Sequence, residues 1–132
     1  MVNVPESHQG LLKADVGVLA TNGPDGYPQA SAIWFLFDDD GYIKFYLTNT
    51  RQKVKNLLVR DEASFLILEP PNGYKTVELR GRVEIAPDPD YAFVPKMVAK
   101  YGPVDFKAMD ERTNGSRVVV TLHPNKVNIW GK

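Results

Sequence analysis

Four turn signatures divide this chain into short apolar runs, which favours strands over long helices. Gly23-Pro24-Asp25-Gly26, Asp38-Asp39-Asp40-Gly41, Pro70-Pro71-Asn72-Gly73 and Pro87-Asp88-Pro89-Asp90 each gather residues that fix or free the backbone for a reversal. Between and around them, strands are predicted over residues 16–21, 29–37, 42–48, 63–68 and 74–85, with Gly81 as a bend or bulge in the last. Two terminal strands follow, 117–122 and 126–130, separated by Pro124. In 29–37 the residues Ala30, Ala32, Trp34 and Leu36 share one face and Ser31, Ile33, Phe35 and Phe37 the other. Both faces are apolar beyond Ala32, so this strand is expected to be covered on both sides.

Three helical intervals interrupt the strands. Pro5 suits the first turn of a helix over 6–13, placing His8 on the surface. Residues 50–60 form a second helix, with Val54, Leu57 and Leu58 spaced to face the core. A third starts at Asp90 as N-cap, carries Ala92, Phe93, Met97 and Tyr101 as its apolar stripe, and ends at Gly102-Pro103. Residues 104–112 add a short helical turn. The expected fold is mainly β (α+β), a barrel of six to seven strands with inserted helices, in a single domain spanning 1–132.

Composition removes several classes of function. Sixteen basic residues balance sixteen acidic ones, so no global charge attracts nucleic acid or anionic lipid. The chain has no cysteine, which excludes disulfides, thiolate catalysis and Cys-ligated metals. Only His8 and His123 are available as imidazoles, and no metal site is expected. Asp38, Asp39 and Asp40 next to Gly41 fit a hairpin turn better than a cation site. Residues 1–14 are polar and lack a signal peptide's basic start and apolar run, and no stretch is long enough to span a bilayer. A cytoplasmic location, with no membrane partner, is the expectation.

One segment breaks a local rule. Arg51, Lys53 and Lys55 crowd the first turns of the helix that follows the strand ending near Thr48. Free N–H groups and the positive end of the macrodipole lie there, so each cation costs roughly 0.3–1 kcal/mol unless an anion offsets it. A phosphate would do so: Thr48 and Thr50 offer hydroxyls, Arg51 and Lys53 offer charge. The alternative is a solvated cationic surface with Thr50 capping the helix. No nucleophile, dyad, Walker loop or Rossmann fingerprint is present, so any chemistry would rest on a bound cofactor.

An ordered series of motifs carries a family resemblance. Val18-Leu19-Ala20-Thr21, Asp25-Gly26-Tyr27-Pro28-Gln29, Ile33-Trp34-Phe35, Arg51-Gln52-Lys53-Val54-Lys55-Asn56-Leu57, Val77-Glu78-Leu79-Arg80-Gly81 and Asp88-Pro89-Asp90 occur in that order. The series resembles the pyridoxamine 5'-phosphate oxidase-like split β-barrels (an FMN-binding-like fold) and, within them, the coenzyme F420 (deazaflavin)-dependent branch. The resemblance implies a homodimer with two cofactor sites at the subunit interface. It places the cofactor ring along Ser31, Ala32 and Ile33, and the phosphate at Thr48, Thr50, Arg51, Gln52 and Lys53. Tyr74, Lys75 and Thr76 match positions near the cofactor, from the same or the partner chain. Trp130 either approaches the ring or closes the barrel core.

Two departures bear on the cofactor. Flavin-phosphate oxidases of this superfamily carry an Arg and a Lys where this chain has Ala30 and Phe35. The Arg-Leu-x-Pro stretch of the true pyridoxamine-phosphate oxidases is absent, which argues against vitamin B6 oxidation. The expected function is hydride transfer between reduced F420 and an unsaturated small-molecule substrate. The alternatives are an FMN-dependent oxidase or reductase, and a non-catalytic F420- or flavin-binding carrier. No catalytic side chain is assigned.

Overall fold

The first turn closes as its chemistry predicts: Gly23 N–H donates to the Tyr27 carbonyl (3.0 Å) and Tyr27 N–H to the Asp25 carboxylate (3.0 Å). It joins β1 (Val16–Asn22) to β2 (Pro28–Trp34) in an antiparallel hairpin. The computed structural model describes residues 3–132. Its remaining strands are β3 (Leu36–Phe37), β4 (Ile43–Thr48), β5 (Glu62–Leu68), β6 (Thr76–Pro87) and β7 (Arg117–Trp130). All pair antiparallel in one sheet of order β2-β1-β5-β6-β7-β4-β3.

The strand expected over 29–37 is two strands. It breaks at Phe35, and the pieces lie at opposite ends of the strand order. One residue links the two edges, so the sheet must curl until they meet, which makes it a split barrel. Phe35 has no ladder of its own. Instead its N–H donates to the Tyr101 hydroxyl (2.9 Å) and its carbonyl accepts from Lys100 Nζ (2.7 Å). Its ring is fully buried and meets Phe65 edge-on, as Phe45 does from the other side. Leu19, Ile67, Val77, Val120 and Leu122 complete this barrel core.

β2 is not covered on both sides. Pro28 through Ala32 are exposed and only Ile33 is buried, because the strand is a sheet edge; on its outer face Trp34 stacks on Tyr101. The two expected terminal strands are one strand of 14 residues, β7, running through Pro124. A register shift makes this possible. Arg80 faces Lys126 and Gly81 faces Pro124, so Asn125 bulges out and Pro124 needs no N–H in the ladder. A Cβ on Gly81 would collide with the His123 carbonyl, which explains the glycine.

The helices are α1 (Gln52–Val59), α2 (Val94–Tyr101) and α3 (Phe106–Arg112), with a 3-10 helix at Glu6–Lys13. The last buries His8 rather than exposing it: Nε2 meets the Trp130 carbonyl at 2.9 Å and Nδ1 the Ser7 hydroxyl at 2.8 Å. Asp88, not Asp90, serves the start of α2, where its carboxylate accepts the N–H groups of Ala92 and Phe93 (both 3.0 Å). Asp38 is buried in its hairpin and accepts from Lys44 (2.6 Å) and Lys96 (2.8 Å), which ties the β3–β4 turn to α2.

Candidate functional site

β4 ends at Thr48, and a three-residue link brings the chain into α1. The link is held from beneath. Asn49 N–H donates to the Ser116 carbonyl (2.8 Å), Ser116 N–H returns a bond to the Asn49 side chain (2.9 Å), and the Thr50 hydroxyl bonds that of Thr113 (3.0 Å). Gly115 lies under it, where a Cβ would collide with the Thr48 methyl. Thr48 is buried and its hydroxyl donates to Asp110 (2.5 Å), so its proton is already used inside the protein. Asp110 forms a bidentate pair with Arg117, both almost fully buried, and also accepts the Tyr91 hydroxyl (2.9 Å). This saturated network fixes the floor of the link.

α1 starts without a side-chain cap and without an acid in its first turn. Arg51 is the N-cap residue, so Thr50 does not serve as one. Among the described residues, no carboxylate pairs with Arg51, Lys53 or Lys55. Burial, and then the neighbouring Arg51 charge, push the Lys53 ammonium below the ordinary lysine value. A half-buried ammonium beside a second cation, at the positive end of a helix, is unfavourable in isolation. An anion bound there removes the penalty.

The inward face of α1 carries Val54, Asn56 and Leu57; Leu58, expected in the core, is 67% exposed. Asn56 connects the helix to the sheet. It accepts from Gln52 Nε2 (2.8 Å) and donates to the Thr21 hydroxyl on β1 (3.0 Å) and the Gln29 side chain on β2 (2.8 Å). Ser31 lies two residues beyond Gln29 on the same face of β2, about 7 Å further along. The helix start and the open edge strand are therefore neighbours. Ser31 and Ala32 are exposed and Ile33 points into the core, leaving the backbone of the free edge available to a planar heterocycle.

Tyr74, Lys75, Thr76 and Trp130 do not join this group within one chain. Thr76 faces Trp130 and Leu68 across the sheet. Thr76 on β6 lies three strands from β2 in the order β2-β1-β5-β6, about 14 Å across the sheet, and its row is also far from Thr21, where α1 anchors. Trp130 is 72% exposed and does not close the core. Thr21, Gln29, Asn56, Asp110 and Arg117 are the site-supporting residues that pattern reading missed. The available signal was a polar residue, Asn56, between two inward-facing apolar ones.

A model of the pyridoxamine 5'-phosphate oxidase family matches residues 4–131, nearly the full chain. The chain belongs to that family. Among solved structures, an F420 reductase shares 36% identity with a TM-score of 0.80, covering 95% of this chain and 98% of that one. The conserved protein Rv2991 of Mycobacterium tuberculosis shares 26% identity with a TM-score of 0.75, covering 98% and 86%. General Stress Protein 26 of Bacillus anthracis, at 14% identity and a TM-score of 0.67 over 95% and 92%, shares the fold. No curated protein sequence matches the chain.

Ala30 and Phe35 are the positions where the resemblance sets an Arg and a Lys in flavin-phosphate oxidases. Ala30 is a small residue on the exposed edge strand, and Phe35 fills the barrel core. Neither position supplies a cation, whereas Arg51, Lys53 and Lys55 gather at the start of α1.

Proposed function

We propose that the protein is an F420-dependent oxidoreductase that moves a hydride between the reduced deazaflavin and an unsaturated small molecule. The observation that carries the reading is the uncapped start of α1, where Arg51 and the half-buried Lys53 have no carboxylate beside an open edge strand. These residues suit a ligand with a phosphate at one end and a flat ring at the other. Bound there, the deazaflavin supplies the hydride chemistry. The chain's own part is to bind and orient: Arg51, Lys53 and the α1 N–H groups hold the phosphate, Thr50 and Gln52 border it, and β2 aligns the ring. The 36% identity to an F420 reductase and the missing cations at Ala30 and Phe35 favour the deazaflavin over FMN.

The reading includes a second copy of the chain. The outer face of β2, β1 and β5 presents Ala32, Val18 and Leu66 in one row and Trp34 and Val16 in the next, a partly exposed apolar surface. A partner docked on it would bring its Tyr74–Thr76 region and Trp130 towards the ring, which a single chain does not do.

Side-by-side titrations with F420 and FMN test the cofactor. F420 is expected to bind more tightly, and Lys53→Ala to weaken it at least tenfold, about 1.4 kcal/mol. Tighter FMN binding would reassign the cofactor, and an unchanged affinity in Lys53→Ala would remove the assigned grip. Oxidation of reduced F420 with a panel of unsaturated acceptors then separates an enzyme from a carrier.

A further inference from the structure

Asn56 is a polar side chain on the inward face of α1, between Val54 and Leu57, and it is 3% exposed. Its amide is saturated. Oδ1 accepts from Gln52 in the first turn of α1, and the two Nδ2 hydrogens go to Thr21 on β1 and Gln29 on β2. Replacing it with an apolar residue would satisfy the helix–sheet packing but would leave three polar groups without their partner. The arrangement therefore does something that packing alone does not require.

What it joins is specific. Gln52 stands between Arg51 and Lys53 at the cationic helix start, and Gln29 stands two residues from Ser31 on the edge strand. β2 is paired on one side only, through β1, and is exposed from Pro28 to Ala32. The side-chain bond from Gln29 to Asn56 ties this edge directly to α1. Gln29, though exposed, lies over Gly23, where an added Cβ would come within 2.9 Å of its Nε2.

We infer that Asn56 is a positioning residue that holds the phosphate-binding start of α1 in register with the ring-binding edge strand β2. The inference rests on the cofactor reading above. A ligand gripped at both ends gains from the second contact only if the two subsites are held at a matching distance. Asn56 sets that distance without needing to touch the ligand.

A double-mutant cycle on cofactor binding tests this, using the full-length protein and F420, with FMN in parallel. Asn56→Leu is expected to weaken binding at least tenfold in the wild-type background. In the Lys53→Ala background, where the phosphate end already contributes little, the same change is expected to cost less than threefold. Gln29→Leu cuts only the β2 end, keeps the bonds from Asn56 to α1 and β1, and is expected to show the same dependence on Lys53. It serves as the measure should Asn56→Leu fail to fold. Equal losses in both backgrounds, or no loss in the wild-type background, would overturn the inference while leaving the cofactor reading intact. If the wild-type protein binds neither F420 nor FMN, the cofactor reading falls and the inference falls with it.

Discussion

Lys53 is the residue at which the cost of the α1 start and its proposed use coincide. Its ammonium is destabilised in the free protein, first by burial and then by Arg51, so its proton is lost at a lower pH than that of an ordinary lysine. A bound phosphate favours the charged form and raises that value, so binding is accompanied by proton uptake once the free amine has titrated. Cofactor affinity should be flat at neutral pH and fall on the alkaline side, starting below the ordinary lysine range. Titrations across pH 7–11 check this, and Lys53→Ala should lose that fall. Asp38 behaves in the opposite sense. Burial alone would raise its carboxyl, but Lys44 and Lys96 outweigh it and hold it at about 2 against an ordinary 3.8. The lowered value stabilises the fold above pH 3.8, and about 2 kcal/mol is lost as the pH falls towards 2. Lys44→Met should therefore move the acid-unfolding midpoint to higher pH, as followed by circular dichroism.

Among the elements, the break between β2 and β3 is the feature on which the barrel depends. A single hydroxyl replaces the missing ladder bond. Tyr101 accepts from Phe35 N–H, and its own O–H lies within donating distance of the Asp15 carbonyl (2.6 Å) and the Phe35 carbonyl (2.8 Å). Lys100 serves the Phe35 carbonyl independently. Tyr101→Phe keeps the ring, and with it the stacking on Trp34 at 4.1 Å, but orphans a buried N–H. The cost should be about 1–3 kcal/mol, read by urea unfolding as a lower midpoint with an unchanged slope. Sequence pattern alone placed both flanking hairpins correctly because their turns are local. It ran 29–37 together because alternation continues through Phe35, and nothing local marks a change of pairing partner. The same limit applied at Pro124, where a proline that ends most strands sits harmlessly opposite Gly81, beside the bulge at Asn125 of its own strand.

For the whole molecule, the expected assembly is a dimer through the outer face of β2, β1 and β5. Val18→Glu would place a charge in the middle of that face without entering the barrel core. In sedimentation velocity the wild-type protein should run at twice the chain mass and the variant at the chain mass. Cofactor affinity should fall in parallel, because in the proposed dimer it is the partner that brings Trp130 and the 74–76 segment towards the ring. A wild-type monomer that binds cofactor at full affinity would contradict this arrangement.

The turns, the special backbone at Gly81 and the misplaced cations at the start of α1 are legible in the residues themselves. These are short-range matters, set by backbone freedom, period and charge within a few residues. Tertiary structure decided which strands pair, that the edges meet at Phe35, and that β2 lies open. It also decided that polar residues such as His8, Asn56, Asp110 and Arg117 are buried. Their burial is tolerable only because partners distant in sequence satisfy them, as Thr21 and Gln29 do for Asn56. The cationic segment could be read from its own residues, but the network that holds it depends on contacts that the linear order does not reveal.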